Sequence, residues 1–157
     1  MQVKNVPDPA LVKDDDIIVR ITSSAICGSD LHIYQGSLPS KIDYVIGHEP
    51  VGIVEEVGKD VTKRSKKVIP FNIACGQCQY CQSYLESQCD NANTYPNLYK
   101  IDTGGYFSFT DRYGDYMGAA ELLRVPYGNN LPFIIPESCE LPDESALFLS
   151  DVLQSAY

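Results

Sequence analysis

No stretch of this sequence is apolar enough to cross a membrane as a helix. Every apolar run falls well short of the roughly 18 residues that such a span needs. Basic residues are also scarce, since 12 lysines and arginines stand against 21 aspartates and glutamates and leave a net charge of −9. An acidic chain is repelled by phosphate backbones and by anionic lipid surfaces. The composition therefore predicts no nucleic-acid partner and no membrane partner.

A dinucleotide-binding fingerprint is missing as well. The pattern G-x-G-x-x-G, which follows a strand and opens a helix, occurs nowhere in the chain. The paired glycines Gly104 and Gly105 lead into an aromatic segment that predicts no helix. A length of 157 residues leaves room for one domain on the usual scale of about 100–200 residues. We expect this chain to contain no NAD or NADP site of its own.

Four of the six cysteines form a C-x2-C-x2-C-x7-C cluster. Four thiolates this close in sequence can surround one tetrahedral metal ion, and sulfur ligands favour zinc. Disulfides are the alternative, and four cysteines allow three pairings. A spacing of two residues suits a shared metal better, and the first residues do not resemble a signal peptide, so we expect a cytoplasmic, reducing location. The pattern predicts a closed structural zinc site at Cys75, Cys78, Cys81 and Cys89.

A second group of candidate ligands lies in two short segments. Residues 27–32 read CGSDLH, and residues 47–52 read GHEPVG. Cys27 and His48 could begin a catalytic zinc site, which keeps one position open for substrate. A buried thiol and a satisfied core histidine are commoner for such a pair. However, the chain has only two histidines, and both lie in these segments beside glycines at strand ends.

These motifs resemble those of the zinc-containing medium-chain alcohol dehydrogenases. The pattern G-H-E-x2-G-x5-G-x2-V at residues 47–61 is similar to the family's zinc signature, and residues 27–32 match its first ligand segment. The cluster at residues 75–89 matches its structural zinc lobe. The resemblance implies a mainly β fold, a GroES-like distorted β-barrel with short helices and a zinc lobe at about residues 72–98. In this family a Rossmann domain that binds NAD or NADP follows.

The resemblance also places both ends of this chain inside the family's catalytic domain. Residues 2–7 resemble the family's second strand, and residues 155–157 lie where the connection to the Rossmann domain should begin. We therefore expect residues 1–157 to be a GroES-like catalytic domain that is truncated at both ends. Such a fragment is expected to be inactive alone.

The third protein ligand of the catalytic zinc is expected late in the chain. Many relatives have a cysteine there, whereas this chain offers Asp151. A carboxylate is an acceptable zinc ligand. The set Cys27, His48 and Asp151 resembles that of the glutathione-independent formaldehyde dehydrogenases. Alternatively, Asp151 merely caps or interrupts a helix.

The resemblance assigns roles to four neighbours of these ligands. Ser29 matches the family's relay hydroxyl, and His32 matches a further relay position. Asp30 resembles the carboxylate that orients the ligand histidine, and Glu49 resembles a carboxylate that can approach the metal. From the residues alone, turn and capping chemistry is the preferred interpretation of Ser29 and Asp30. The remaining cysteine, Cys139, is expected to be a free thiol without a role.

The coarse secondary structure is mostly short strands. β-branched and apolar runs predict four of them. From Pro142 onwards, the spacing of Ala146, Leu149, Val152, Leu153 and Tyr157 fits a helical face that residues 150–151 could interrupt. The predicted strands cover residues 16–22, 51–57, 67–71 and 119–125.

Three functions are consistent with these observations. The first is a zinc-dependent, NAD(P)-linked alcohol or aldehyde dehydrogenase that transfers hydride from a zinc-bound small-molecule alcohol. The second is a sorbitol- or threonine-type dehydrogenase of the same superfamily, and the third is a non-catalytic zinc-binding GroES-like module. For the full-length enzyme the resemblance implies a homodimer or homotetramer.

Overall fold

The computed structural model describes residues 2–38, 45–62, 65–93, 104–109, 118 and 120–157. Within these ranges five strands form one antiparallel sheet, and they are β1 (Ile17–Ala25), β2 (Glu49–Val57), β3 (Lys66–Val68), β4 (Leu122–Val125) and β5 (Phe133–Ile134). Four strands match the predicted ones with shifted ends, whereas β5 was not predicted; position 119 lies outside the described residues. The order of the strands in the sheet is β4–β1–β2–β3–β5.

The pairing of β1 with β2 brings two distant segments together. The register runs from Ile17 opposite Val57 to Ala25 opposite Glu49. The end of β1, which leads to Cys27, therefore lies beside the start of β2, which follows His48. The strands approach closely at Gly52, where any Cβ would collide with a backbone carbonyl of β1. This register is the main reason why the two candidate segments meet.

Two clusters of buried side chains pack against the sheet. Alternate residues of β1, Ile17 and Val19, are fully buried and belong to the same cluster as Phe107. Burying each such side chain contributes roughly 1.5–3 kcal/mol. The same cluster includes three of the four clustered cysteines, so the lobe is part of the main core. Its cysteine members are Cys75, Cys81 and Cys89.

The prediction of a mainly β fold with short helices is confirmed. The barrel is not closed within the described residues, because β4 and β5 lie at opposite edges of the sheet and do not pair. No helix in the described ranges has the length and apolar character of a membrane span. The helices are α1 (Gly28–Tyr34), α2 (Gln79–Gln82), α3 (Asp143–Ala146) and α4 (Val152–Ala156), with 3₁₀ turns at Glu86–Gln88 and Leu147–Leu149.

The C-terminal helical segment is interrupted where the sequence indicated. Asp151 separates the second 3₁₀ turn from α4 with φ −146° and ψ −58°. The predicted apolar face is wrong beyond this break: Ala146 is buried, but Leu153 is 52% and Tyr157 is 110% exposed. The non-helical backbone at Asp151 turns α4, so its apolar residues do not continue the face of α3.

Candidate metal centres

The four clustered cysteines converge on one point. The Sγ atoms of Cys78 and Cys81 are 3.5 Å apart, and Cys75–Cys81 and Cys78–Cys89 are each separated by 4.0 Å. A disulfide needs about 2.05 Å, and all four residues are free thiols. Four sulfurs at about 2.3 Å from a zinc ion would lie roughly 3.8 Å from one another. The geometry fits a tetrahedral four-sulfur site and argues against disulfides.

Local structure explains this convergence. Gly76 has a φ of +75°, a left-handed conformation that turns the chain directly after Cys75. Helix α2 begins after Cys78 and places Cys81 one turn later. The 3₁₀ turn that follows leads into Cys89. Residues 94–98 of the predicted lobe lie outside the described residues.

The thiols of the lobe differ in acidity. Burial alone would raise the pKa of Cys75, but hydrogen bonds from the Asn91 amide and from the backbone N–H of Gln77 and Cys78 lower it to about 6. Burial raises the pKa of Cys89 to about 12. Protein groups alone therefore stabilise one thiolate strongly. Holding all four as thiolates requires a cation, because metal binding and thiol deprotonation are coupled.

The second cluster combines a sulfur, a nitrogen and two carboxylates. One ligand atom from each of Cys27, His48, Glu49 and Asp151 lies within 4.8 Å of the others. Oδ2 of Asp151 is 3.4 Å from Nε2 of His48 and 3.7 Å from Sγ of Cys27. Ligands at about 2.0–2.3 Å from a tetrahedral zinc would be separated by roughly 3.3–3.5 Å. The predicted set of three ligands is thus brought together with a spacing that fits zinc.

Asp30 lies close to both Cys27 and His48. Its Oδ2 accepts a hydrogen bond from the backbone N–H of Cys27 at 3.0 Å, and its Oδ1 lies 3.3 Å from Nδ1 of His48. Among the described residues, neither Oδ1 nor Nδ1 has a well-directed hydrogen bond. Both side chains are almost completely buried. Asp30 therefore caps α1 through Oδ2, and its orienting role towards His48 stays a prediction.

The carboxylate of Asp151 points into the cluster. Asp151 precedes α4, yet its side chain makes no capping hydrogen bond to the helix backbone. Oδ1 accepts a hydrogen bond from Ser155 Oγ at 2.6 Å, and Oδ2 faces His48. Asp151 interrupts the helical segment, as one alternative proposed, but it does not cap α4 through its side chain. Its role as a metal ligand stays a prediction.

Negative charge accumulates in this buried cluster. Burial raises the pKa of Glu49, and the nearby charge of Asp151 raises it further. Burial also raises the pKa of Cys27, although hydrogen bonds with Ser29 oppose this. For His48, burial lowers the pKa, but the adjacent carboxylate of Asp30 outweighs this effect and raises the pKa above its usual value. The ion pairs of the described residues bring no lysine or arginine here. A cation held among these side chains would offset their repulsion.

The cluster forms one wall of a cleft of about 480 Å³. Two aromatic rings, which the sequence analysis missed, lie against His48 with centroids 6.1 Å (Phe71) and 5.5 Å (Phe109) away. Phe71 is the last residue of a predicted strand, a position that could have suggested it, whereas nothing in the sequence singled out Phe109. The lining residues are Cys27, Ser29, His48, Phe71, Phe109, Asp151, Val152, Ser155 and Ala156.

The two predicted relay residues differ in placement. Ser29 lines the cleft, with its Oγ 3.8 Å from Sγ of Cys27. His32 lies on the exposed side of α1 and does not line the cleft. Ser108 contacts the segment that carries His48, because its buried Oγ accepts a hydrogen bond from the backbone N–H of Gly47 at 3.0 Å. The relay roles stay predictions.

Comparisons with known proteins agree with this geometry. The family model described as the alcohol dehydrogenase GroES-like domain matches residues 13–135. The chain is 51% identical, over 99% of its length, to an uncharacterised zinc-type alcohol dehydrogenase-like protein of Bacillus subtilis, of which it covers 41%. It is 31% identical over its whole length to the glutathione-independent formaldehyde dehydrogenase of Pseudomonas aeruginosa, again covering 41%.

A solved structure of an alcohol dehydrogenase also matches this chain. The alcohol dehydrogenase TADH from Thermus sp. ATN1 matches 98% of this chain with a TM-score of 0.84 and 38% identity, and 42% of that protein is covered. The chain thus spans about two fifths of the length of the proteins that it matches.

Proposed function

The chain belongs to the alcohol dehydrogenase GroES-like domain family, and from this membership we propose that residues 1–157 are the catalytic domain of a zinc-dependent, NAD(P)-linked dehydrogenase of short alcohols or aldehydes. The zinc lobe is proposed to occupy about residues 72–98. A cytoplasmic location and a homodimeric or homotetrameric assembly stay predictions.

One observation carries this proposal: a thiol, an imidazole and a carboxylate converge on the wall of an open cleft. Cys27, His48 and Asp151 would hold the ion there, whereas the four-cysteine lobe has no position left for substrate. When bound, zinc supplies a Lewis acid that polarises the alcohol or carbonyl oxygen, and a nicotinamide cofactor accepts the hydride.

The surrounding residues have separate tasks. Phe71 and Phe109 cover His48 with apolar surface and limit the access of water. Ser29 Oγ lines the cleft next to Cys27, where it can accept the proton of a substrate hydroxyl and pass it on. His32, exposed on the same helix, could pass that proton to solvent. Glu49 lies close enough to exchange places with another ligand.

The lining of the cleft supports a small, weakly polar substrate. Apart from the cluster itself, the described residues contribute two hydroxyls and the apolar side chains of Phe71, Phe109, Val152 and Ala156. A sugar alcohol or an amino acid would need more polar groups to bind its hydroxyls or charges. The aspartate as third ligand supports a formaldehyde dehydrogenase-like activity over a sorbitol or threonine type.

The metal content tests the ligand assignment. We expect two zinc ions per folded chain in the full-length gene product, measured by elemental analysis against protein concentration. Asp151→Ala should lower the content to one, and Cys139→Ser, which changes an exposed thiol outside both clusters, should leave it at two. A content below one zinc per chain would contradict the structural site.

The cofactor requirement tests the domain assignment. Without a held hydride acceptor the reaction lacks its second partner. We expect purified residues 1–157 to give no alcohol-dependent reduction of NAD or NADP, measured by the absorbance of the reduced nicotinamide, and the full-length gene product to give it readily. Turnover by residues 1–157 alone would overturn the assignment. A full-length product that binds two zinc ions but reduces neither cofactor would favour the non-catalytic module.

A further inference from the structure

Ser155 is hydrogen-bonded to the carboxylate of Asp151, and the family resemblance implies no role for this serine. Its Oγ donates to Oδ1 at 2.6 Å, and its backbone N–H donates to the carbonyl oxygen of the same residue at 3.0 Å. The 2.6 Å distance falls in the usual range for a hydroxyl that donates to an ionised carboxylate. Ser155 also lines the cleft.

This bond separates the tasks of the two carboxylate oxygens. Oδ1 is taken by Ser155, whereas Oδ2 faces Nε2 of His48 and Sγ of Cys27. The terminal torsion of an aspartate is broad and roughly two-fold, so an unrestrained carboxylate could present either oxygen or both. The hydroxyl of Ser155 removes that freedom.

We propose that Ser155 is a positioning residue that holds Asp151 so that Oδ2 alone is presented to the metal. The inference rests on the ligand set of the proposed function. It makes Ser155 the counterpart of Asp30, which lies against the other side of the cluster at Nδ1 of His48. Groups that orient metal ligands in this way typically change metal affinity about 10–100-fold when they are lost.

Apolar packing around α4 is too sparse to orient the side chain of Asp151, so the hydrogen bond from Ser155 must do so. The backbone before Asp151 is fixed, because the carbonyl of the buried Ser150 accepts from the N–H of Phe71 at 3.2 Å. After Asp151, however, Val152 and Leu153 are 44% and 52% exposed and bury little surface. The orientation of the Asp151 side chain therefore depends on Ser155 more than on apolar contacts.

A purely structural role for Ser155 would be to stabilise the first turn of α4. Gln154 offers the matched control, because its Nε2 donates to the backbone carbonyl oxygens of Leu149 at 2.8 Å and of Ser150 at 3.4 Å, and neither bond involves a ligand side chain. Gln154→Ala removes a bond that anchors the same helix without touching the carboxylate. A structural role predicts similar effects from both changes, whereas a positioning role predicts an effect from Ser155 only.

The experiment uses the full-length gene product with cobalt(II) in place of zinc. Ser155→Ala should weaken metal binding at the second site about 10–100-fold in a chelator competition. It should also change the visible absorption spectrum of the cobalt. Ser155→Thr keeps the hydroxyl and should retain the metal affinity and the cobalt spectrum. Ser155→Val has the shape of the threonine variant without its hydroxyl and should lose both. Metal at the four-cysteine lobe should stay at one per chain throughout, which verifies folding.

The outcomes separate this inference from the proposed function. Unchanged affinity and spectrum in Ser155→Ala, beside a weakened Asp151→Ala, would overturn only the role of Ser155. Equal losses in Gln154→Ala would assign Ser155 a structural role and overturn the inference too. If Asp151→Ala itself bound the metal normally, both the ligand set and the inference would fail.

Discussion

Asp151→Ala is expected to lower turnover of the full-length gene product by about 10³-fold, since Lewis acidity contributes several kcal/mol and each 1.4 kcal/mol is a factor of ten. The change removes the oxygen that lies 3.4 Å from His48 and 3.7 Å from Cys27. The fold should persist, because Asp151 follows the well-anchored Ser150 and interrupts the helical segment without a capping bond. Steady-state kinetics with a short alcohol, together with zinc analysis, measure the effect.

Two further variants serve as a control and a comparison for the loss of turnover in Asp151→Ala. Glu144→Ala changes an exposed acidic residue of the nearby helix α3 and should keep full turnover. Ser29→Ala should slow turnover less than Asp151→Ala, because water can partly replace a relay hydroxyl. If Asp151→Ala kept both zinc ions and normal turnover, the third ligand would have to be another residue, and Glu49 would be the first candidate.

The two candidate metal centres differ in how far the sequence could predict them. All four cysteines of the lobe lie within 15 positions, and one left-handed turn and two short helical turns bring them together. Spacing alone therefore indicated the site. The second centre depends on the register that sets Ala25 opposite Glu49 and on a residue more than 100 positions away. The strands could be predicted from the sequence, but that register and Asp151 needed the family resemblance.

The sequence could not indicate contacts between distant segments. Phe109, Ser108 and Ser155 carry no local signal, since serine and phenylalanine are ordinary residues in loops and helices. Each acquires its role from a partner elsewhere in the structure, such as His48 for Phe109. The same limit applies to the face of α4, because a single non-helical residue at Asp151 ends the helical periodicity on which the prediction depended.

Cys81→Ser should have the largest effect on stability. Cys81 is buried, its Sγ lies 3.5 Å from that of Cys78, and it belongs to the same core cluster as Phe107. Structural zinc sites contribute about 10–16 kcal/mol of binding energy that is coupled to folding. Losing several kcal/mol of it should lower the melting temperature by roughly 10 °C or more, since 1 kcal/mol shifts it about 2–4 °C at this size. Thermal denaturation followed by circular dichroism measures this shift.

The matched control is Cys139→Ser, which makes the same chemical change at an exposed cysteine outside both clusters. It should leave zinc content and melting temperature unchanged. Cys81→Ser should also lose the lobe zinc and make the segment from Cys75 to Cys89 sensitive to limited proteolysis, because metal release frees the turns that the four sulfurs hold. A Cys81→Ser protein that kept its lobe zinc, its melting temperature and its protease resistance would show that three sulfurs suffice. The four-sulfur structural assignment would then be wrong, whatever the activity of the second centre.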